Sequence, residues 1–308
     1  MRSSDPRIEL LGGLSSEDLA HSLKQRLDTS SVIIRAGTTT AALAISTANV
    51  LARLVPNVSV VSASDQGVFV PPFGEGEIAR IGAQVVTQAR TSIPVEQSGP
   101  VVVVAVEPNR DADLYVSASA WSIRISDHPH EPLHGLGPAT SAASALVAAE
   151  ILRRLLPELP GVRLKDQLIE WNLLDYRLRI APSEPPPGPV TSVCFGGGSV
   201  GSSVLYSLML SGGAGTLTFV DPDHLSSRNK IRYPLLFSSS RALKVDWLSS
   251  LSTAQLHVAG AALSASDYIS ASTLPIESTI AAVDTASARR DVTDALAHET
   301  LEAGVAGL

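Results

Sequence analysis

Thr191-Ser-Val-Cys-Phe195 runs straight into Gly196-Gly-Gly-Ser-Val-Gly201, an apolar segment follows, and Thr216-Leu-Thr-Phe-Val-Asp221 closes the stretch. A short apolar run that opens onto glycines and is followed by a periodic segment and a second apolar run reads as strand, helix, strand. With its Gly-x-Gly-x-x-Gly spacing and the carboxylate after the second strand, the unit has the form of a nucleotide-binding fingerprint. Gly196 suits a tight turn, Gly198 allows backbone to approach a phosphate, and Gly201 allows the helix to pack closely on the strand. The helix N-terminus presents unpaired N–H groups and the positive end of its dipole to an anion. Asp221 stands where it accepts ribose hydroxyls.

The chain continues as Pro222-Asp223-His224-Leu225-Ser-Ser-Arg228-Asn229-Lys230-Ile231-Arg232-Tyr233, and then Arg241-Ala-Leu-Lys244. Five basic residues and no acidic one fall between positions 228 and 244, in a chain whose formal net charge is −7. A cationic patch in an acidic protein points to triphosphate handling. A dinucleotide needs no such patch, because its pyrophosphate is held mainly by backbone and helix dipole.

The ordered set Gly196, Gly198, Gly201, then Asp221-x-Asp223, Asn229-x-x-Arg232, Lys244 and a later Val283-Asp284 resembles the adenylation domain of the ThiF/MoeB and ubiquitin-activating enzyme superfamily. The motifs span Thr191 to Asp284, about a third of the chain. The resemblance implies a Rossmann-like nucleotide site that uses ATP and Mg²⁺. There the C-terminal carboxylate of a ubiquitin-like or sulfur-carrier-like protein, or of a peptide, attacks the α-phosphorus and releases pyrophosphate. Catalysis of that step is positioning plus electrostatics. By the same resemblance Arg232 and Lys244 bind the phosphates and stabilise developing charge, and Asn229 holds the phosphates or orients Arg232. The nucleotide lies on Gly196, Gly198, Gly201, Asp221 and Asp223, and Asp284 holds the metal.

Each residue also has a plainer reading. The glycines make a strand–helix turn without a ligand, Asp221 caps a turn, Arg232 and Lys244 are solvated charges, and Asp284 caps a helix near Ser287. Cys194 lies within the strand before the glycines and reads as a buried core thiol rather than a thioester nucleophile. The family's thioester cysteine lies beyond the adenylation motifs, so adenylation without transfer is the expectation. Asp127-His128-Pro129-His130, with His134 nearby, lacks helical metal-ligand spacing and reads as a loop cluster. In the family a second arginine reaches the ATP from the partner half; Arg35 and Arg110 are the two sources the sequence offers.

Working outward, 308 residues suggest two domains. Apolar content of 44% with only 4% aromatic residues suits Val/Leu strands and Ala-rich helices. No apolar run reaches the roughly 18 residues of a membrane span, and the N-terminus has no signal-like apolar segment. A single cysteine excludes an internal disulfide framework. The expectation is a cytoplasmic protein, acidic and therefore not a nucleic-acid binder.

Upstream, Ser15 to Lys24 reads as a capped helix, Ser31 to Gly37 as a strand ending in glycine, Thr38 to Leu54 as an Ala-rich helix, and Val58 to Asp65 as a strand ending in Asp. This repeats the plan of the 191–221 stretch, and Val101-Val-Val-Val-Ala-Val-Glu107 echoes Thr279-Ile-Ala-Ala-Val-Asp284. The first half therefore reads as a degenerate copy that has lost Gly-x-Gly-x-x-Gly. Tyr115 to Ile125 reads as one strand, Ala139 to Leu155 as a helix, and Val162 to Leu178 as another helix. Pro182-Ser-Glu-Pro-Pro-Pro-Gly-Pro189 is a stiff boundary.

The expected architecture is α/β, two Rossmann-like βαβ halves in tandem. Residues 1–158 form the degenerate half, 159–189 a helix and Pro-rich linker, and 190–308 the ThiF-like domain. Paired halves are what the resemblance implies, either within one chain or by homodimerisation. Ser287 to Glu299 reads as a helix and Glu302 to Leu308 as the start of a strand, so the expectation is a short or shortened adenylation domain. Two other functions stay open. One is a NAD- or FAD-linked oxidoreductase, which Asp221 after the glycines supports but the basic cluster does not. The other is a nucleotide-binding pseudoenzyme that scaffolds a partner.

Overall fold

The structure is a computed structural model that describes residues 7, 17–95, 97–106, 111–158, 164, 167–179, 188–238, 241–272, 276, 278–295 and 299–302. It is a mixed α/β protein whose sheets are mainly parallel. Two compact units divide the chain, Met1–Pro187 and Gly188–Leu308. The boundary falls in the proline-rich stretch that sequence composition marks.

The first unit is built on a six-stranded sheet. Its strands are β1 (Ser31–Ala36), β2 (Asn57–Ser62), β5 (Val101–Ala105), β6 (Leu114–Ala118), β7 (Ser122–Ser126) and β8 (Leu168–Asn172), in the order β2-β1-β5-β6-β7-β8. β2, β1, β5 and β6 are parallel, and β7 and β8 run antiparallel to their neighbours. A separate hairpin pairs β3 (Gly67–Val70) with β4 (Gly74–Glu77). The helices are α1 (Glu17–Thr29), α2 (Ala41–Leu51), α3 (Ile78–Ala89) and α4 (Pro138–Leu155).

Helix α2 is buried at nearly every position from Ala41 to Leu51. A helix apolar all round must be covered on all sides, and α2 packs on α3, α4 and β2. Its small residues allow that approach, and its polar groups are paired: Thr47 Oγ1 donates to the Leu43 carbonyl at 2.8 Å, and Arg53 donates to Asn49 Oδ1 at 3.1 Å.

Two expectations for this unit need correction. The run from Tyr115 to Ile125 is not one strand but the hairpin β6–β7. Ser119 Oγ accepts the Ser122 N–H at 3.2 Å and turns the chain there. The segment expected as a helix over 162–178 carries strand β8 at Leu168–Asn172 instead. Arg124 and Glu170 lie directly opposite each other across β7 and β8 and form an ion pair at 2.6 Å. Spacing of Trp171 and Leu174 suggests a helical face over so short a window, but pairing along the open edge of β7 prevails.

The second unit is a five-stranded, wholly parallel sheet in the order β11-β10-β9-β12-β13. Its strands are β9 (Val190–Phe195), β10 (Gly215–Val220), β11 (Leu256–Ala261), β12 (Ser278–Ala281) and β13 (Glu299–Glu302). Between them run α5 (Ser199–Leu210), a 3-10 turn at Ser227–Ile231, α6 (Lys244–Ser249), α7 (Ala265–Ala271) and α8 (Ala286–Ala295). The helix expected over Ser287 to Glu299 is thus α8 and ends sooner, since Glu299 already belongs to β13; of the strand expected over Glu302 to Leu308, Glu302 is the end of β13 and the rest lies outside the described residues.

Phe195, Val220, Ala281 and Val292 form a core cluster, with Tyr268 set edge-on to Phe195 at 5.8 Å. The chain leaves β9 to form β10 on one side, then returns to place β12 on the other. That reversal makes a switch point between β9 and β12, and ligands of open parallel sheets bind in the crevice beyond the strand ends at such a point. In the first unit β1 is likewise flanked by β2 on one side and β5 on the other.

The units make separate predictions about the chain's limits. A fragment ending at residue 187 should melt cooperatively, because β8 still covers β7. One ending at residue 158 should melt at lower temperature or precipitate, because β7 then becomes an edge with unpaired backbone groups. Circular dichroism melts of the two fragments check this.

Candidate functional site

Three chain segments meet at the C-terminal ends of the parallel strands of the second unit: the glycine loop after β9, Asp221 after β10 and Asp284 after β12. The loop is shaped by two steric demands. Gly196 has φ +102°, and a β-carbon there would lie 2.5 Å from the Ala282 carbonyl oxygen beyond β12. A β-carbon on Gly201, in the first turn of α5, would lie 2.1 Å from the Gly196 oxygen. Only glycine satisfies both, so the loop turns tightly and α5 starts hard against the strands. Gly198 differs: it precedes α5, and a β-carbon there would meet only the Tyr233 hydroxyl, in ordinary contact at 3.8 Å.

Asp221 is 6% exposed. Its Oδ2 accepts the Gly197 N–H at 2.8 Å, and its Oδ1 accepts the Asp223 N–H at 2.9 Å. It thus ties the glycine loop to the turn after β10. Gly197, which the fingerprint spacing passes over, is the donor that completes this tie. A third successive glycine was the available signal, since a β-carbon there would press Leu248 at 2.9 Å.

Lys244 is brought to the same carboxylate by backbone. The loop from 222 to 243 returns on itself, with Leu225 N–H donating to the Ala242 carbonyl and Lys244 N–H to the Asp223 carbonyl, both at 2.9 Å. Lys244 Nζ then lies 3.3 Å from both oxygens of Asp221 and 2.7 Å from Asp223 Oδ2. Burial works against its charge, but the hydrogen bond to Asp223 and the charge of Asp221 outweigh it and hold its pKa above the usual lysine value. Removing one member of such a buried pair costs about 3–5 kcal/mol, since the other charge is left unmatched.

Asn229 serves its own loop. Its Oδ1 accepts the Ser226 N–H at 2.6 Å and the Ser226 hydroxyl at 3.1 Å, and its carbonyl accepts the Arg232 N–H at 3.0 Å. It therefore holds the backbone from which Arg232 projects. Arg232 itself is exposed and makes no side-chain hydrogen bond or ion pair among the described residues. Tyr233 is buried beside it and stacks on Trp247 at 5.8 Å, with Leu225 and Leu236 completing a small core under the loop.

Asp284 is exposed three residues past β12, and its carboxylate has no partner among the described residues. The helix-capping alternative falls to Thr285, whose Oγ1 accepts the Ala288 N–H at 3.2 Å.

The remaining candidates lie elsewhere. Cys194 is fully buried, and burial followed by the charge of Asp221 pushes its thiol up to about 12. His130 belongs to the first unit and is bound on both sides, Nδ1 at 2.8 Å to Ser126 Oγ and Nε2 at 3.1 Å to Ser117 Oγ. Burial and the Arg124 charge lower its pKa to about 4. No group of three His, Cys, Asp or Glu side chains suited to a metal occurs among the described residues. Arg35, in β1, donates to the Asp111 carbonyl; Arg110 lies outside the described residues. No helix among them is long and apolar enough to cross a membrane.

No protein-family model matches this chain, and no curated protein matches it.

Two outcomes follow from these environments. Cys194 should resist iodoacetamide at pH 8 in the native protein and react at once in denaturant, because only the thiolate attacks. Mass spectrometry of the alkylated protein reads this. Because the His130 pKa is depressed on folding, the unfolded chain binds its proton first. The first unit should lose stability as pH falls from about 6.5 towards 4, and His130→Gln should flatten that part of the pH–stability curve in urea titrations.

Proposed function

We propose that the second unit is an adenylating domain of the ThiF/MoeB and ubiquitin-activating type, working at the β9–β12 crevice. The observation that carries this reading is the meeting of an open helix N-terminus at Gly198 with a buried cation, Lys244, held between two carboxylates. A dinucleotide site has little use for a buried lysine beside its ribose carboxylate, whereas a triphosphate needs cations near the helix N-terminus.

In this reading the phosphates of ATP lie over the glycine loop and draw Lys244 from Asp223. Arg232, projecting into solvent from the braced 3-10 turn, closes on them. Asp221 keeps the loop in shape and, with the exposed Asp223, recognises the ribose. The C-terminal carboxylate of a ubiquitin-like or sulfur-carrier-like protein, or of a peptide, attacks the α-phosphorus. The bond to the β-phosphate oxygen breaks, giving an acyl adenylate and pyrophosphate. Lys244 and Arg232 act by stabilising charge that grows on the phosphate oxygens.

Asp284 suits Mg²⁺: it is an exposed carboxylate without a partner among the described residues, and Mg²⁺ is commonly held by one or two carboxylates with substrate phosphates. When bound, the ion neutralises charge on those phosphates.

The first unit is read as the degenerate half. It shares the arrangement of a strand, a glycine, a helix and a parallel neighbour, with a later strand on the opposite flank, and it lacks the glycine fingerprint. A cytoplasmic location, and the pairing of two halves by homodimerisation or within the chain, belong to the same proposal.

Exchange of labelled pyrophosphate into ATP, with candidate acceptors supplied, tests the reaction. Lys244→Ala should lower exchange by about a hundredfold and Arg232→Ala by about tenfold or more. Unchanged rates remove those roles. Saturation by NAD without any response to Mg·ATP turns the reading to an oxidoreductase, and tight ATP binding without exchange turns it to a scaffold.

A further inference from the structure

Tyr233 occupies the place directly after Arg232, and its surroundings are unusual for a tyrosine. The residue is only 3% exposed, and its ring is fixed by the stack on Trp247 and by contact with Leu225 and Leu236. A tyrosine buried so fully ordinarily sets its hydroxyl against a hydrogen-bond partner. The Tyr233 hydroxyl has none among the described residues and is not sealed in the core; it is the tip of the buried ring that reaches open space.

That hydroxyl faces the glycine loop instead. A β-carbon built on Gly198 would lie 3.8 Å from it and would meet no other atom within 4 Å apart from its chain neighbours. The hydroxyl therefore bounds a space in front of Gly198, the residue preceding α5. That helix is 12 residues long, and its first N–H groups open into the same region. Lys244, Asp221, Asp223 and Arg232 all act electrostatically on the hydroxyl, which places it within the charged cluster of the site. Burial raises its pKa above the usual tyrosine value, so it stays protonated and remains a donor at neutral pH.

We infer that the Tyr233 hydroxyl is a phosphate ligand, donating a hydrogen bond to the phosphate seated at the N-terminus of α5 above Gly198. The inference rests on the nucleotide reading of this site and adds to it a neutral donor with a fixed direction. Its ring brings no charge that must be desolvated. The phosphate supplies the acceptor that the protein does not, and the helix N–H groups contact the same anion from the other side.

The test is calorimetric titration of wild type and Tyr233→Phe with Mg·ATP, adenosine and inorganic tripolyphosphate. Phenylalanine keeps the stack on Trp247 and removes a single oxygen. The affinity for ATP relative to adenosine should fall about tenfold, as expected for loss of one hydrogen bond to a charged acceptor. Because both ligands are measured on the same protein, the ratio is insensitive to any loss of folded fraction. An unchanged ratio overturns the assignment. Should wild type ignore ATP yet bind tripolyphosphate, the adenylation reading fails while Tyr233 is still judged, by whether Tyr233→Phe binds tripolyphosphate about tenfold more weakly. A wild-type protein that binds neither compound overturns both.

Discussion

The carboxylate of Asp221 is the point through which the second unit's site is held together. One oxygen fixes the glycine loop through Gly197, the other fixes the turn through Asp223, and both face Lys244. These contacts satisfy a buried charge that would otherwise be costly to keep in the protein. They also give the glycine loop a definite shape without filling the space before Gly198. A loop of three successive glycines has many conformations open to it, and a single well-placed acceptor selects one.

The parallel sheet determines where that point sits. Strand β9 is central, β10 and β12 flank it, and all three end at the same side. Residues distant in sequence (Gly198, Asp221, Asp284) therefore converge because the strands that precede them are paired side by side. Among the described residues, the stretches 222–238 and 241–243 are the part of the site not carried by the sheet. This part is instead stapled to itself by backbone bonds and the Asn229–Ser226 pairing, and to α6 by the Tyr233–Trp247 stack.

Much of this was legible beforehand because the informative residues are glycines and charges at short spacing. Gly201 is demanded by a clash with Gly196 a few residues before it, and a local clash leaves a local trace; the clash at Gly196 is with Ala282 across the sheet and shows in the sequence only through the glycine spacing. The partner of the Asp221 carboxylate at Gly197, and the orientation of the Tyr233 hydroxyl, were not legible, since each depends on a contact made across the fold. The same limit explains the error at 168–172: Trp171 and Leu174 satisfy a helical spacing, and only the exposed edge of β7 shows that the segment pairs as a strand. The hairpin at Ser119 leaves no glycine or proline signal, because serine breaks the strand there through a side-chain bond.

By itself the sequence determined the α/β class and the strand–glycine–helix–strand unit, and it marked a boundary near the prolines and a set of charged residues as candidates for a site. Those follow from local periodicity and from the backbone freedom of glycine, which are properties of neighbouring residues. Only the tertiary structure decided which carboxylate holds Lys244, which hydroxyl faces Gly198 and which edge accepts β8. Such matters turn on distances of about 3 Å between groups far apart in the chain. A hydrogen bond or a clash at that range is set by how strands stack and helices pack, and no spacing along the sequence encodes it.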